Sequence, residues 1–315
     1  MISRSLKHRA LRAVRSSTVL TCALFVADGL LAGVTRSGIN QDEHLSGANL
    51  EADFNYSKKI AEQYTGKAAL SGRVAELGPG GNAAVALHLL RRGADSVDLV
   101  DRFSFDHDPA KLDALYKCFD NYEDLAKIRF CVGEDASAER FFLGREGYDA
   151  IFSCAVLEHL TDPLSAIRAM ASSLAPGGRM VHQIDLRDHG IFSGAGKHPL
   201  TFLTIPGWVY RLMSEARGRP NRVMLDAYRR VLAESGLEYR ILATHLVEVG
   251  ELPVPIEAEA IDGEDFAIAR RSVDRIRPRL THQFRQVSSD DLAISAIRIE
   301  ATRPALVPNQ DAGAK

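Results

Sequence analysis

The sequence predicts an α/β protein, a mostly parallel sheet with helices on both faces. Three observations carry the prediction. Short apolar runs alternate with helical patterns from Arg73 to Asp185. The first run ends in a glycine-rich turn, "VAELGPGGNA", that leads straight into a helical pattern. A late alternating segment, Leu292–Ala301, supplies a closing strand.

The elements follow in order. Arg73–Leu77 reads as a strand, Gly81–Arg92 as the helix after it, and Val97–Val100 as the second strand. Pro109–Tyr122 is a helix opened by proline, whose missing N–H has no partner to lose in a first turn. Ile128–Val132 and Tyr148–Cys154 are the third and fourth strands. Asp162–Leu174 is a helix stopped at Pro176-Gly177-Gly178, and Arg179–Asp185 is the fifth strand. Asn221–Ser235 is helical and ends at Gly236, and Leu237–Val247 with Leu292–Ala301 brings the strands to seven. Between those two lie an acidic, proline-containing stretch, 251–264, and a charged helix around Phe266–Ile276. Residues 304–315 read as a flexible tail. The chain divides into an N-terminal helical extension, 1–45, and one domain, 46–303, in which 190–222 is an irregular insertion.

With 315 residues, 46% apolar and 25% charged, the chain suits a soluble globular protein, and a net charge of -2 gives no global attraction to nucleic acid. Its four cysteines, Cys22, Cys118, Cys131 and Cys154, show no CxxC or zinc spacing, as expected of reduced thiols in the cytoplasm. Arg4, Lys7, Arg9, Arg12 and Arg15 precede an apolar run, Thr18–Ala27. This pattern resembles a secretory signal, but the run is too short to span a bilayer and Asp28 follows it. A helix covering part of the domain is the preferred reading, and a helix lying on a membrane surface is the alternative.

In an open parallel sheet, ligands sit beyond the carboxyl ends of the strands. Five groups stand there: Glu76 with Gly78-Pro79-Gly80; Asp101; Glu134, Asp135 and Ala136; Ser153 and Cys154 with "VLEHL" behind them; and Asp185 with His189. Gly78, Gly80 and Ala83 fit the dinucleotide fingerprint, and Asp101 could serve any ribose, so these leave a nicotinamide site open. "YDAIFSCAVLEHL" followed by "LAPGGRMVHQID" has no role in that pattern.

Five segments in order, "VAELGPGGN", "VDLVD", "VGEDA", "YDAIFSCAVLEHLTDP" and "LAPGGR", resemble the motifs of class I S-adenosylmethionine-dependent methyltransferases across roughly residues 70–185. "SSDDLAISAIRIEATRP" and "HQIDLRDH" are similar to members found beside glycan and natural-product pathway genes. The resemblance implies a seven-stranded Rossmann-like methyltransferase sheet that binds S-adenosylmethionine. It places Glu76, Gly78 and Gly80 at the methionine end, Asp101 at the ribose, and Asp135 with Ala136 at the adenine, and it adds Pro79, Asn82, Arg102, Ser153 and Cys154 to the cofactor-binding set. The free N–H groups at the start of the helix after the turn would meet the methionine carboxylate. Gly133 is followed by two acids, Glu134 and Asp135, and Asp135 is favoured for the adenine.

A hydroxyl acceptor benefits from a general base. Asp185 and His189, just past the fifth strand, rank first, with His159 of "LEHL" next and His182 read as structural. RNA-end methyltransferases of this fold hold a metal with Glu-x-x-Glu-His; Ala155 breaks that run, and no metal is expected. Residues 190–222 read as a substrate lid, whose Phe192, Phe202, Trp208 and Tyr210, with Lys197, Arg211, Arg217, Arg219 and Arg222, suit a sugar, a phosphate-bearing group or an aromatic acid. The expected function is methylation of an oxygen, or else a nitrogen, of a small molecule or glycan, with no nucleic-acid partner. The rivals are an NAD(P)-dependent oxidoreductase and a non-catalytic S-adenosylmethionine-binding subunit.

Overall fold

The computed structural model describes residues 17–32, 49–103, 107–214 and 217–305. The basic residues Arg4–Arg15, Glu215 and all but the first residues of the tail lie outside the described residues.

One sheet carries apolar residues on both faces, each covered by a layer of helices. β1 (Arg73–Leu77), β2 (Ser96–Asp101), β3 (Ile128–Val132), β4 (Tyr148–Cys154) and β5 (Leu174–Asp185) pair in parallel in the spatial order β3-β2-β1-β4-β5. In β1, Val74 and Glu76 face one layer while Ala75 and Leu77 face the other, and all four are buried. Burial on both faces is what leaves the parallel strands as short continuous apolar runs. α1 (Thr18–Ala32) is the N-terminal helix, and α2 (Leu50–Thr65) is the first helix to pack on the sheet, in the first layer. Asn49 caps α2 through Ala52 N, and the stripe of Ser57, Ile60, Ala61 and Tyr64 faces inward against α3 (Ala84–Arg91) and the sheet. The opposite layer holds α5 (Pro163–Ser173), which starts at the Asp162 cap, and α7 (Leu225–Glu234). Between them in chain order come α4 (Pro109–Tyr116) on the first layer and α6 (Gly207–Ser214), on which α1 packs.

The first layer therefore contains α2 rather than α1, because α1 is joined to α6: a Cβ on Gly29 would stand 2.1 Å from Leu212 O, so only glycine permits the approach. The antiparallel half adds β6 (Glu238–Leu246), β7 (Gly250–Glu257) and β8 (Ile294–Thr302), with β8 inserted between β5 and β6. α8 (Gly263–Ile276) connects β7 to this region.

The sheet has eight strands instead of the seven expected. The extra one, β7, comes from the acidic, proline-containing stretch. It pairs only with β6 and forms the sheet edge, where Pro253 and Pro255 need no ladder donor on the solvent side. The helix expected over Asn221–Ser235 begins only at Leu225, because Asn221 is drawn into contacts with the segment after β4. The helix expected over Pro109–Tyr122 ends at Tyr116.

Candidate active site

The chain order of the sheet reverses between β1 and β4, and the crevice beyond their carboxyl ends is where an open sheet takes a ligand. Past β1, Gly78 and Gly80 both have φ +67°, a left-handed backbone that glycine adopts without strain. A Cβ on Gly78 would lie 2.4 Å from Val156 Cγ2, so the turn can rest on the segment after β4 only with glycine. A Cβ on Gly80 would meet no protein atom within 4 Å, so space remains on that side of the turn. His107 Nε2–H donates to the Gly80 carbonyl at 2.6 Å.

Glu76 is buried beneath this turn. Its Oε1 accepts from the Tyr64 hydroxyl at 3.4 Å, and its Oε2 has no partner. Burial pushes its carboxyl up to about 8, with the Tyr64 hydrogen bond only partly opposing. Tyr64 is fixed by stacking on Phe152 of β4, centroids 5.0 Å apart. Asn82 turns inward, bonding Pro79 O and Ala84 N, so its side chain braces the turn. The expectation of free N–H groups at the start of α3 needs correction: Ala83 N–H donates to Tyr116 Oη at 2.9 Å and Ala84 N–H to Asn82.

Asp101 closes β2. Its Oδ1 accepts from Phe103 N at 2.9 Å, and burial pushes its carboxyl up to about 6. Arg102 reaches Glu134 at 3.0 Å, which occupies one of the two acids after Gly133 and leaves Asp135 exposed beside buried Ala136. Ser153 is fully buried, its hydroxyl 2.8 Å from His182 Nδ1. His182 itself is enclosed in β5, and burial pushes it down to about 3, so it is neutral. Burial, reinforced by Glu158 and Glu76, pushes the Cys154 thiol up to about 12, which removes a thiolate from the chemistry. An orphaned carboxylate oxygen at Glu76, an open glycine cradle and an acid with a single backbone donor fit the cofactor that the sequence motifs imply.

The elevated Asp101 value gives a pH dependence. A carboxylate accepts two ribose hydroxyls, whereas the protonated acid loses acceptor capacity. S-adenosylhomocysteine affinity should therefore fall as pH drops through about 6, and Asp101→Asn should erase that step while leaving any change near pH 8 that Glu76 causes. Calorimetry between about pH 5 and 8 measures this; a flat profile for the parent chain would exclude Asp101 from the ribose.

Beyond β4 and β5 the backbone is unusual at two non-glycine residues, Ala155 (φ 54°) and His189 (φ 47°). Each lies just past a strand end at the crevice. Asp185 binds Arg187 through both oxygens, at 2.8 and 2.6 Å, and meets His189 Nε2 at 3.4 Å. Burial alone would raise Asp185, but the bonds from His189 and Arg187 outweigh it and hold the carboxyl far below the usual range. Burial likewise disfavours a charged His189, and contact with Asp185 reverses that, so its pKa is raised. The rings of His159 and His189 meet edge to face, centroids 5.0 Å apart. His159 Nδ1–H donates to Gly218 O at 2.7 Å. Glu158 is buried; its Oε1 accepts from Asp185 N at 3.1 Å, Oε2 has no partner, and burial pushes the carboxyl up to about 8.

Among the described residues, Glu158, His159 and His189 offer ligand atoms within 4.8 Å of one another, although the Glu-x-x-Glu-His run is broken at Ala155. His182 is committed to Ser153, and Asp185 to Arg187 and His189.

The structure assigns much of the expected lid to packing. Phe192, Phe202 and Tyr210 are core residues, and only Trp208 of the four aromatics is exposed. Arg217 and Arg219 hold Asp28 of α1, and Arg222 lies over the Tyr210 ring and donates to the carbonyls of Phe202 and Ile205. Sequence reasoning missed three supports. Asp188 is buried and accepts from Gly190 N, Phe192 N and Ser193 N, fixing the turn that carries His189. Asn221 Nδ2 bridges Leu157 O and Leu160 O, and its N–H donates to Glu158 O, clamping "LEHL". Tyr64 is the third. The Asp188-His189-Gly190 run carried an Asx-turn signal; the other two had none locally.

A family model described as a methyltransferase domain matches residues 52–241. No curated protein matches the chain in sequence. Solved structures similar to it include the [4+2]-cyclase SpnF (14% identity, 81% of this chain and 82% of that one, TM-score 0.42). Another is phosphoethanolamine N-methyltransferase 2 of Haemonchus contortus in complex with S-adenosyl-L-methionine (14%, 80% and 53%, 0.43), of which the matched part is about half. A third is an S-adenosylmethionine-dependent methyltransferase of Mesorhizobium loti (14%, 81% and 100%, 0.42).

Proposed function

The chain belongs to the methyltransferase-domain family, as a class I S-adenosylmethionine-dependent methyltransferase, and on that premise we propose that it methylates an oxygen of a small molecule or glycan. Membership in the family sets aside the nicotinamide reading. When bound, S-adenosylmethionine supplies an electrophilic methyl group on a sulfonium. Glu76, Gly78 and Gly80 would hold its methionine end, Asp101 its ribose, and Asp135 with Ala136 its adenine. The residues past β5 would serve the acceptor. With His189 Nε2–H turned to Asp185, Nδ1 keeps the lone pair that takes the hydroxyl proton, and Asp185 fixes the ring and stabilises the resulting cation. The 3.4 Å pairing of Asp185 with His189 is the observation that carries this reading.

The test is release of S-adenosylhomocysteine from purified protein offered paired hydroxyl and amine acceptors built on sugar and phenol scaffolds. Hydroxyl acceptors should turn over and their amine counterparts should lag; the reverse order would overturn O-methylation. The core positions of Phe192, Phe202 and Tyr210, with Arg217, Arg219 and Arg222 engaged inside the protein, weaken an anionic acceptor. The Glu158–His159–His189 cluster favours a second reading, in which a divalent ion rather than a base activates the acceptor oxygen.

A further inference from the structure

Among the described residues, α1 exposes an apolar surface. Its inward side, Thr21, Cys22, Phe25, Val26 and Gly29, packs toward α6, and Asp28 pairs with Arg217 and Arg219. The outward side carries Val19, Leu20, Leu24, Leu30 and Leu31, which are 39–75% exposed. At the helical angular spacing these residues, with exposed Ala23 and Ala27 between them, fill an arc of about 140° that contains no polar side chain. Soluble proteins rarely leave such a stripe to water. α6, on which α1 packs, exposes Leu212 and, one turn away, Trp208 at 70% exposure.

We propose that this face docks on an anionic lipid surface, with α1 lying in the plane of the interface. Charge selects that occupant. The sequence before Asp28 contains Arg4, Lys7, Arg9, Arg12 and Arg15 and no acid, although the whole chain has a net charge of -2. A cationic segment joined to an apolar helix face complements anionic headgroups over an acyl layer. A second copy of the chain would instead bring two such segments together. The helix, about 22 Å long, is too short to cross a hydrocarbon core of roughly 30 Å, and no helix among the described residues is long and apolar enough to span a membrane. The docking face is also tied to the active site: Asp28 holds Arg217 and Arg219, and the intervening Gly218 carbonyl holds His159.

The full chain is sedimented with vesicles of phosphatidylcholine and phosphatidylglycerol in equal parts, and with phosphatidylcholine alone. It should bind the anionic vesicles, at least tenfold more weakly in raised salt or without phosphatidylglycerol. Leu24→Glu with Leu31→Glu should lower binding at least tenfold again, with melting temperature and S-adenosylhomocysteine affinity unchanged. Trp208 is the only tryptophan, so its emission should shift to the blue on vesicle addition in the parent and not in the double variant. Equal binding by parent and variant, or no binding to anionic vesicles, would overturn the proposal. So would a solution dimer that the double variant dissolves. No acceptor enters the experiment, so its failure leaves the methyl-transfer reading untouched.

Discussion

Gly80→Leu should abolish detectable S-adenosylhomocysteine binding, and Asp101→Ala should weaken it by roughly tenfold to a hundredfold. On the proposed reading Gly80 meets the methionine part of the cofactor and Asp101 its ribose. Gly80 lies at φ +67° with open space where a Cβ would project. A leucine there meets no protein neighbour at its Cβ, so interference is expected with the cofactor and not with the fold's own packing. The left-handed backbone adds strain of about 1–2 kcal/mol for a residue with a Cβ. Gly80→Asn separates the two effects, because asparagine tolerates this backbone while still filling the space. It should keep the parent's melting temperature and still lose affinity. Among the described residues, Asp101 has one backbone donor and no cation on it, so its remaining acceptor capacity is available to a ribose. Losing charge-assisted bonds of that kind costs about 1.5–3 kcal/mol. Calorimetry reads both variants; parent-like affinity in the pair would remove the cofactor site from this crevice.

The legible part of the molecule is the part with local physical signals. β1, β2 and β4 are buried on both faces, so their apolar runs stand out, and Asp162 followed by Pro163 marks a helix start by capping and ring geometry. β7 was not legible, because Pro253 and Pro255 argue against a strand until it is known to be an edge. α2 had a readable cap at Asn49 and an inward stripe ending at Tyr64, but its value to the site lies in the Tyr64–Glu76 contact, which no periodicity reports. The strand-end rule led to Glu76, Asp101, Asp185 and His189, because a parallel sheet gathers those positions at one edge. Asn221 and Gly218 lie some sixty residues from the "LEHL" groups they hold and act through long-range hydrogen bonds. The aromatics and arginines of 190–222 had the composition of a binding surface, yet most are packed or paired within the protein.

His189→Ala should lower turnover about a hundredfold or more while leaving S-adenosylhomocysteine affinity nearly unchanged. The left-handed backbone at His189 is held by Asp188, whose carboxylate takes three backbone N–H groups of the same turn. That cost in conformation is sensible where the ring must face a reacting group. Asp185→Asn should have a smaller effect, since Arg187 still faces that position and the ring is also bounded by His159. His159→Ala separates the alternatives. Its Nδ1–H is spent on Gly218 and its ring lies in the Glu158–His189 cluster, so a merely supporting role predicts a modest loss. If His159→Ala stops turnover while His189→Ala does not, the base belongs to the segment after β4. Chelation decides between proton transfer and metal activation, because the same three side chains could serve either. Under base catalysis the rate in a chelator equals the rate without it. Loss of activity in the chelator, restored by a divalent ion and absent in Glu158→Gln, would assign the cluster to a metal that lowers the acceptor's pKa directly. His189 would then be a ligand, and the hundredfold loss in His189→Ala would appear as weakened metal affinity that excess ion offsets. A loss that no concentration of ion recovers leaves His189 as the base.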